Sequence, residues 1–385
     1  MSRFHKLYRI GLITILGVIL ILPVIEKHVN YFETKPLSGY VAPLDDVYLS
    51  LESWFSADFQ ERQDKVLAEN FGFRNTLVCL YNEANYSLFH KSSSPYLVVG
   101  KEDYLYEEWY IKAHYGLDYI GADSIRKKLE MLKRVQDTLT ALNKTLITIY
   151  APGKAAFYPE FIPYKWTKLK KDSNNISVFE PLSKRLGINH IDFHSFFIEQ
   201  RGKLPYPLYP KNGTHWSFYG MCLAADSMVK YIENSCSIDM PNVYWDSVVA
   251  DTEREYDYDI ANAMNLYNSA KGLEMGYPNV KVQQDTSLDR PSTIIVSDSY
   301  YFGIFNFGLH QAFRNNRLRY YNKRVLPDSY TEELSTSSVS LKNEIEDNDI
   351  FIIVSTDVNL PRLGWGYIED LYKIFFETPA DSPKL

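Results

Sequence analysis

The stretch Ile294-Ile-Val-Ser-Asp-Ser-Tyr-Tyr-Phe-Gly303 decides the fold of this chain. Its β-branched apolar residues predict a buried strand, which runs into a tight Ser-Asp-Ser turn and then into a helix. In open α/β sheets, ligands bind at the carboxyl ends of the strands, and the free N–H groups at the start of the next helix can stabilise an oxyanion. Ser299 is therefore a candidate nucleophile. The alternative is an ordinary serine that caps the helix.

Other short apolar runs predict further buried strands, with amphipathic helices between them. The strands are expected at 145–150, 187–192, 292–296 and 349–354, and the helices at 123–142 and 217–234. Strands that alternate with helices indicate a parallel α/β sheet covered on both faces. In contrast, residues 236–290 have no clear periodicity, and residues 335–340 predict a loop.

The composition is that of an ordinary globular protein with a slight excess of acidic residues. With 385 residues, of which 45% are hydrophobic, and a net charge of −7, the chain is neither disordered nor collagen-like. It also lacks the basic character of nucleic-acid-binding proteins. Its 3 cysteines, Cys79, Cys222 and Cys236, exclude a disulfide scaffold but leave open one bridge, for example between Cys222 and Cys236. Their spacing predicts no metal site.

The first residues carry the pattern of a membrane anchor. The run Ile10–Ile25 has no charge, and residues 1–9 before it hold Arg3, Lys6 and Arg9 without an acidic residue. Its length approaches the roughly 17 to 20 residues needed to span a bilayer. A cleaved signal peptide and a buried core helix are the alternatives, but no small-x-small cleavage site follows the run. We expect a single pass through the inner (cytoplasmic) membrane, with the rest of the chain extracytoplasmic, in the periplasm.

The chain is accordingly divided into three parts. Residues 1–29 are the predicted anchor, and residues 30–90 are a linker with a helical lead-in. In that part, Pro36, Gly39 and Pro43 mark the linker over 30–45, and two helices broken near residues 70–73 are expected over 47–90. Residues 91–385 form the predicted α/β domain, which begins with a hairpin over 96–106.

A second motif, Tyr209-Pro-Lys-Asn-Gly-Thr-His-Trp-Ser-Phe-Tyr-Gly220, places a histidine at the entrance to a predicted helix. His215 could act as general base toward a serine elsewhere in the chain, or be a hydrogen-bonded structural residue. Lys154 follows the strand at 145–150 and so belongs to the same edge of the sheet, either as a cation in the site or as a solvated loop residue. His190 and His194 have the spacing of a helical metal pair, but they fall on a predicted strand, so no metal is expected there.

Six segments occur in a fixed order along the chain: Phe71–Tyr81, Val99–Tyr106, Ala151–Glu160, Thr214–Trp216, Ser297–Ser299 and Asn359–Leu360. Together they resemble the SGNH-hydrolase-like domain of the alginate O-acetylation proteins, the AlgX/AlgJ family, which is related to the DHHW proteins. The resemblance extends over about residues 50–365. It implies a flavodoxin-like α/β fold with a parallel sheet between two layers of helices. It also implies a circularly permuted motif order, in which the histidine precedes the serine.

By this resemblance, Ser299 is the nucleophile that takes an acetyl group and His215 is its base. Two positions depart from the family: Gly213 stands where the family has its acid, and Ser297 stands where it has glycine. A serine–histidine pair without its carboxylate loses control of the imidazole tautomer. Asp298 and Asp192 are the candidates to supply that carboxylate; a dyad or an inactive site is the alternative.

The resemblance implies an extracytoplasmic O-acetyltransferase that modifies a cell-surface or secreted polysaccharide, as in exopolysaccharide biosynthesis. It also implies a membrane acyltransferase of the MBOAT type as the partner that delivers acetyl groups. Serine–histidine chemistry requires no cofactor. The predicted substrate contacts are Lys154, Trp216, Tyr300 and Tyr301. Two other functions stay open: a catalytically impaired polysaccharide-binding or scaffolding protein of an acetylation complex, and a carbohydrate acetyl esterase.

Overall fold

The computed structural model describes residues 3–29, 31–39, 46–169, 172–326 and 334–377. The chain forms two compact units, one of Met1–Ser94 with Ala261–Ala270 and one of Pro95–Ile260 with Lys271–Leu385. The division of the chain at residues 29 and 90 stays a prediction. Residues 40–45 of the predicted linker, Pro43 among them, lie outside the described residues.

The first unit begins with the predicted apolar helix. Its helices are α1 Arg3–Val29, α2 Leu51–Phe55, α3 Asp58–Glu69 and α4 Arg74–Phe89. Within α1, the most apolar 18-residue stretch of His5–Val29 has a mean hydropathy of 2.3. The segment is long and apolar enough to cross a membrane, a property that signal sequences share. Residues 47–90, all of them described, form three helices and not the predicted two, because the backbone of Ala57 turns to a φ of 71° between α2 and α3.

The second unit contains the α/β domain. Its strands are β1 Leu97–Val99, β2 Leu105–Glu107, β3 Thr145–Ala151, β4 His190–Asp192, β5 Val243–Thr252, β6 Glu274–Val282, β7 Ser292–Ser297, β8 Asn315–Tyr320, β9 Arg324–Leu326, β10 Leu334–Ser335 and β11 Ile350–Thr356. The helices after residue 94 are α5 Glu108–His114, α6 Ala122–Ala141, α7 Lys154–Phe157, α8 Tyr164–Thr167, α9 Ile176–Leu186, α10 Phe193–Gln200, α11 Phe218–Cys236, α12 Asp259–Ala263, α13 Tyr300–Asn306, α14 Leu341–Asp347 and α15 Tyr367–Phe376. The predicted hairpin is β1 with β2.

Seven of the described strands form the central sheet, in the order β10-β9-β8-β7-β11-β3-β4. The five strands from β8 to β4 are parallel, and β9 and β10 add an antiparallel edge. Side chains of β7 alternate between two hydrophobic clusters, with Ile295 in one and Ile294 and Val296 in the other. The central strands are therefore buried on both faces, as their unbroken apolar runs predict. This confirms the predicted fold class.

Strand β8 is absent from the sequence-based prediction because most of its residues are polar. Within β8, Arg319 is 3% exposed and its guanidinium binds the carboxylate of Glu344 from α14. A buried ion pair of this kind compensates charges that would otherwise exclude a strand from the core. Residues 335–340, predicted as a loop, hold the end of β10 and a 3₁₀ turn at Thr336–Ser338.

The segment 236–290 is more regular than predicted. Strands β5 and β6 pair in an antiparallel ribbon, with an irregularity in register between Trp245 and Val248. Most residues of β5 are exposed or half-buried, so the strand has no apolar run that reveals it. Between the two strands, a 3₁₀ turn at Glu255–Tyr258 leads into α12, whose first residue is Asp259.

Candidate active site

The turn after β7 is fixed by Asp298. Its Oδ2 accepts hydrogen bonds from Thr356 N (3.0 Å), Thr356 Oγ1 (2.8 Å) and Asn359 Nδ2 (2.9 Å), and its Oδ1 accepts one from Tyr300 N (3.1 Å). The carboxylate thus ties the end of β7 to the end of β11. At Ser297, where the family has glycine, the described backbone does not have a positive φ, so a serine is accommodated there without strain.

Ser299 occupies the N-cap position of α13, but its hydroxyl is used elsewhere. Within the described residues, its Oγ does not cap the helix. It lies 2.8 Å from His215 Nε2. The serine and histidine motifs, 84 residues apart in the chain, therefore meet at hydrogen-bond distance, as expected for a nucleophile and its base.

The other imidazole nitrogen of His215 faces Asp259. Asp259 Oδ2 lies 2.9 Å from His215 Nδ1, and Asp259 Oδ1 accepts a hydrogen bond of 2.8 Å from Thr214 N. One carboxylate therefore holds both the ring and the backbone beside it. Such a carboxylate fixes the imidazole tautomer, with the proton on Nδ1 and the lone pair of Nε2 directed at the serine.

The expectation that Asp192 or Asp298 supplies this carboxylate is wrong. Asp192 lies at the start of α10, where its Oδ1 accepts a hydrogen bond of 2.9 Å from Ser195 N and so caps that helix. Asp298 is engaged in the turn after β7. Sequence analysis missed Asp259 because it lies 44 residues beyond His215, in the segment without periodicity.

Gly213 makes room for the segment that carries Asp259. A Cβ atom at residue 213 would lie 2.7 Å from Tyr256 O and 2.8 Å from Asp257 O. No side chain fits there unless that backbone moves. Asp257 Oδ1 in turn accepts a hydrogen bond of 3.0 Å from Phe218 N, at the start of α11. The family's position for the acid is thus filled by the backbone that leads to a different acid.

Lys154 is a structural residue, whereas the sequence predicted either a cation in the site or a solvated loop residue. It is 1% exposed, and its Nζ donates to the carbonyl oxygens of Lys211 (2.6 Å) and Gly213 (2.8 Å). From the other side, Glu253 accepts hydrogen bonds from Lys211 N (2.5 Å) and Asn212 N (3.1 Å). Burial lowers the pKa of Lys154 to about 7, against the opposing charge of Glu253. The prediction that Lys154 contacts substrate is corrected: it holds the loop before His215.

Three aromatic residues, Trp216, Tyr300 and Tyr301, were also predicted to contact the substrate. Trp216 and Tyr300 line a cleft beside Ser299 and His215, and Tyr300 OH donates to Thr214 O at 3.2 Å. Their role in substrate binding stays a prediction. Tyr301 is fully buried, and its hydroxyl accepts a hydrogen bond of 2.9 Å from Asn316 Nδ2 inside the sheet layer. Its predicted contact with substrate is therefore wrong.

A further aromatic residue near the serine was missed in the sequence. Tyr321 follows β8, and its N–H donates to Ser297 O at 2.8 Å, two residues before Ser299. Burial raises the pKa of Tyr321 to about 12, so its hydroxyl is protonated at neutral pH. It lies after the polar strand β8, and the pairing of β8 with β7 brings it to the turn that carries Ser299.

The described residues form neither a cluster of metal ligands nor a disulfide. Among the described residues, no group of three or more His, Cys, Asp or Glu side chains is placed to hold a metal ion. The thiols of Cys79, Cys222 and Cys236 are free, so the bridge left open between Cys222 and Cys236 is not formed. Ser299, His215 and Asp259 are joined by hydrogen-bond contacts at the carboxyl edge of the sheet.

A parallel α/β sheet that presents serine, histidine and aspartate at one edge defines a protein with a hydrolase-like serine site. The family model described as "SGNH hydrolase-like domain, acetyltransferase AlgX" matches residues 97–293. The chain belongs to this family. The matched region includes His215 and Asp259 and ends before Ser299.

Solved structures with a similar fold were also found. The O-acetyltransferase domain of Pseudomonas putida AlgJ is 17% identical, with a TM-score of 0.47, and the match covers 73% of this chain and 99% of that chain. Pseudomonas aeruginosa AlgX is 14% identical, with a TM-score of 0.46, and the match covers 72% of this chain and 70% of that chain. Bacillus cereus PatB1, solved with a sulfonyl adduct, is 11% identical, with a TM-score of 0.41, and the match covers 62% of this chain and 91% of that chain. Among curated proteins, none matches the chain significantly.

Proposed function

We propose that this protein is an O-acetyltransferase that acetylates hydroxyl groups of a cell-surface or secreted polysaccharide through an acetyl-enzyme on Ser299. The observation that carries this proposal is the continuous pair of contacts from Ser299 Oγ to His215 Nε2 (2.8 Å) and from His215 Nδ1 to Asp259 (2.9 Å). Membership of the AlgX acetyltransferase family supports acetyl as the transferred group. The contact with Asp259 favours a catalytic protein over an impaired scaffolding protein, because it supplies a carboxylate that Gly213 lacks.

In the first half-reaction, Ser299 Oγ attacks the carbonyl carbon of an acetyl ester or thioester donor while His215 Nε2 takes the hydroxyl proton. The negative charge of Asp259 stabilises the imidazolium. When the tetrahedral intermediate collapses, the bond to the donor's oxygen or sulfur breaks, and this leaving group receives the proton from His215. In the second half-reaction, a sugar hydroxyl gives its proton to His215 and attacks the acetyl carbon, and Ser299 regains a proton as the sugar ester forms.

The same proposal places the reaction outside the cytoplasm. We propose that the apolar segment His5–Val29, which is long enough to cross a membrane, is an uncleaved anchor in the inner membrane. An α/β domain attached to such an anchor would act next to the bilayer surface. We propose that a polytopic acyltransferase of the MBOAT type delivers the acetyl donor across that membrane to Ser299.

The acetyl-enzyme is the intermediate to detect. Full-length protein in detergent, mixed with p-nitrophenyl acetate and quenched with acid, is expected to gain the mass of one acetyl group on the peptide that contains Ser299. The matched variant Ser299→Ala is expected to gain none. If added polysaccharide then takes up acetyl from the enzyme, the transferase proposal is supported. Release of acetate to water alone, with every glycan tested, would favour an esterase, and identical labelling of Ser299→Ala would contradict the nucleophile assignment.

The pH dependence of the reaction follows from the environment of His215. Burial lowers the pKa of His215, but the hydrogen bond and charge of Asp259, with the charges of Glu107 and Asp298, raise it more, so it lies above its usual value of about 6.5. Because the base must be neutral in the free enzyme, kcat/KM is expected to rise with pH through a pKa above about 6.5. In Asp259→Asn, burial persists without the main opposing charge, so the acidic limb of the residual activity should move to lower pH. A wild-type limb at or below 6.5 would contradict this.

A further inference from the structure

An apolar pocket opens directly beside the serine and histidine. Apart from Ser299 and His215, its lining consists of Met221, Gly303 and five aromatic residues: Trp216, Phe218, Tyr256, Tyr300 and Phe307. The lining is mostly apolar, because the hydroxyls of Tyr256 and Tyr300 are hydrogen-bonded to Asn306 Nδ2 and Thr214 O, respectively. Apolar lining next to a nucleophile suits the hydrocarbon part of an acyl group better than a sugar, whose hydroxyls need hydrogen-bond partners.

The pocket follows one face of α13. Ser299, Gly303 and Phe307 are spaced four residues apart, so they lie in a row along the same side of the helix. At Gly303, an added Cβ would lie 2.6 Å from Met221 Sδ of α11. The absence of a side chain at residue 303 therefore brings Met221 up to the helix, where the thioether forms the floor of the pocket.

Phe307 closes the far end of the row. Its ring lies 4.7 Å from that of Phe218 and 5.6 Å from that of Tyr256, in T-shaped contacts with both. Asn306 Nδ2 in turn donates to the hydroxyl of Tyr256. The end wall is thus held from two sides, so that an acyl chain longer than the pocket would have to displace packed aromatic rings.

The free space left between these groups is small. It amounts to about 10 Å³ for the centre of a water-sized group. That is room for about one water molecule or one methyl group. The acyl group with a single methyl beyond its carbonyl is acetyl; propionyl adds a methylene and butyryl adds two.

We propose that this pocket binds the methyl group of the acyl chain carried by Ser299, and that Met221 and Phe307 thereby restrict transfer to acetyl over longer acyl groups. The inference rests on the proposed acetyl-enzyme and adds the residues that select the acyl chain. Truncation of Met221 or Phe307 is expected to let the pocket accept a longer acyl chain. A side chain added at residue 303 is expected to push Met221 into the pocket and so to shorten the acyl chain that fits.

The test compares kcat/KM of the full-length protein for the p-nitrophenyl esters of acetate, propionate and butyrate. In the wild type, butyrate is expected to be poorer than acetate by about tenfold or more, since each misfitting methylene costs at least that order. Met221→Ala and Phe307→Ala are expected to raise the butyrate-to-acetate ratio by about tenfold. Gly303→Ala should lower the propionate-to-acetate ratio instead. Met228→Ala removes a methionine that is equally buried on α11 but does not line the pocket, and the ratio should stay that of the wild type.

Two outcomes overturn the inference in different ways. If acetate turnover depends on Ser299 but the wild type and all pocket variants have the same chain-length preference, the pocket does not select the acyl group, and the proposed function stands. If no ester is turned over in a way that Ser299→Ala abolishes, the proposed function fails and the inference fails with it. Opposite shifts in the truncated and filled variants would support the pocket even if one truncated variant folds poorly.

Discussion

Replacement of Asp259 by asparagine is expected to lower kcat/KM for p-nitrophenyl acetate by about 10³- to 10⁴-fold. The amide is the same size as the carboxylate, and its oxygen can still accept the hydrogen bond of Thr214 N, so the fold should be kept. It cannot stabilise an imidazolium, and its NH₂ group favours the tautomer of His215 with the proton on Nε2. That tautomer presents a donor to Ser299 where an acceptor is needed. The kinetics of the purified variant, together with its thermal unfolding, test this expectation.

The matched control is Asp192→Asn, which makes the same chemical change at a carboxylate that caps α10. Asparagine is an equally good cap, so neither activity nor stability should change. The role of Asp259 would be contradicted if Asp259→Asn kept wild-type activity, and above all if Asp192→Asn lost it. An equal loss of folding in both variants would also remove the basis for assigning the effect to chemistry.

Gly213→Asp is expected to lower the activity of the protein, although it restores the residue type that the family has at this position. A side chain at residue 213 would place its Cβ 2.7 Å from Tyr256 O and 2.8 Å from Asp257 O, both of them backbone atoms that cannot rotate away. The segment must shift, and Asp259 shifts with it. We expect kcat/KM to fall by about 100-fold, as for misplacement of a catalytic group by about 1 Å. The free energy of unfolding should fall by roughly 1–3 kcal/mol, as for other overpacked sites.

Two further variants separate the clash from the new carboxylate. Gly213→Ala adds the Cβ alone and is expected to lose activity in a similar way. The double variant Gly213→Asp with Asp259→Asn tests whether the new acid can replace the old one, and we expect no recovery beyond Asp259→Asn. Recovery in the double variant would mean that residue 213 can reach His215 Nδ1, which would contradict the steric account.

The elements around Ser299 were predictable because their signals are local. Continuous apolar runs identified β3, β7 and β11, since a strand buried on both faces has no polar side to interrupt the run. The family resemblance linked Ser299 and His215, and the parallel sheet brings them together. Asp259 could not be found in this way. It lies in a short helix after a mostly exposed strand, and its contact with His215 depends on the path of the chain between them.

Lys154 illustrates a second limit of sequence analysis. A lysine in a turn after a strand is usually solvated, and burial of its charge is rare unless partners compensate for it. Those partners are two backbone carbonyl oxygens of the loop before His215, which composition and spacing do not reveal. The same holds for Arg319 in β8. Its burial is possible because the carboxylate of Glu344, from helix α14, pairs with its guanidinium.

The ribbon formed by β5 and β6 has a consequence for how the domain loses activity. Glu253 directly follows β5 and accepts hydrogen bonds from the backbone N–H groups of Lys211 and Asn212, shortly before His215. Asp259, which contacts His215, lies only a few residues after Glu253. Local openings of a protein release contiguous segments together, at a free energy below that of global unfolding. An opening of this ribbon would therefore withdraw the orienting acid and the support of the histidine loop in one step, while the central sheet stayed folded. The lifetime of the active site would then be set by the least protected part of the domain and not by its core.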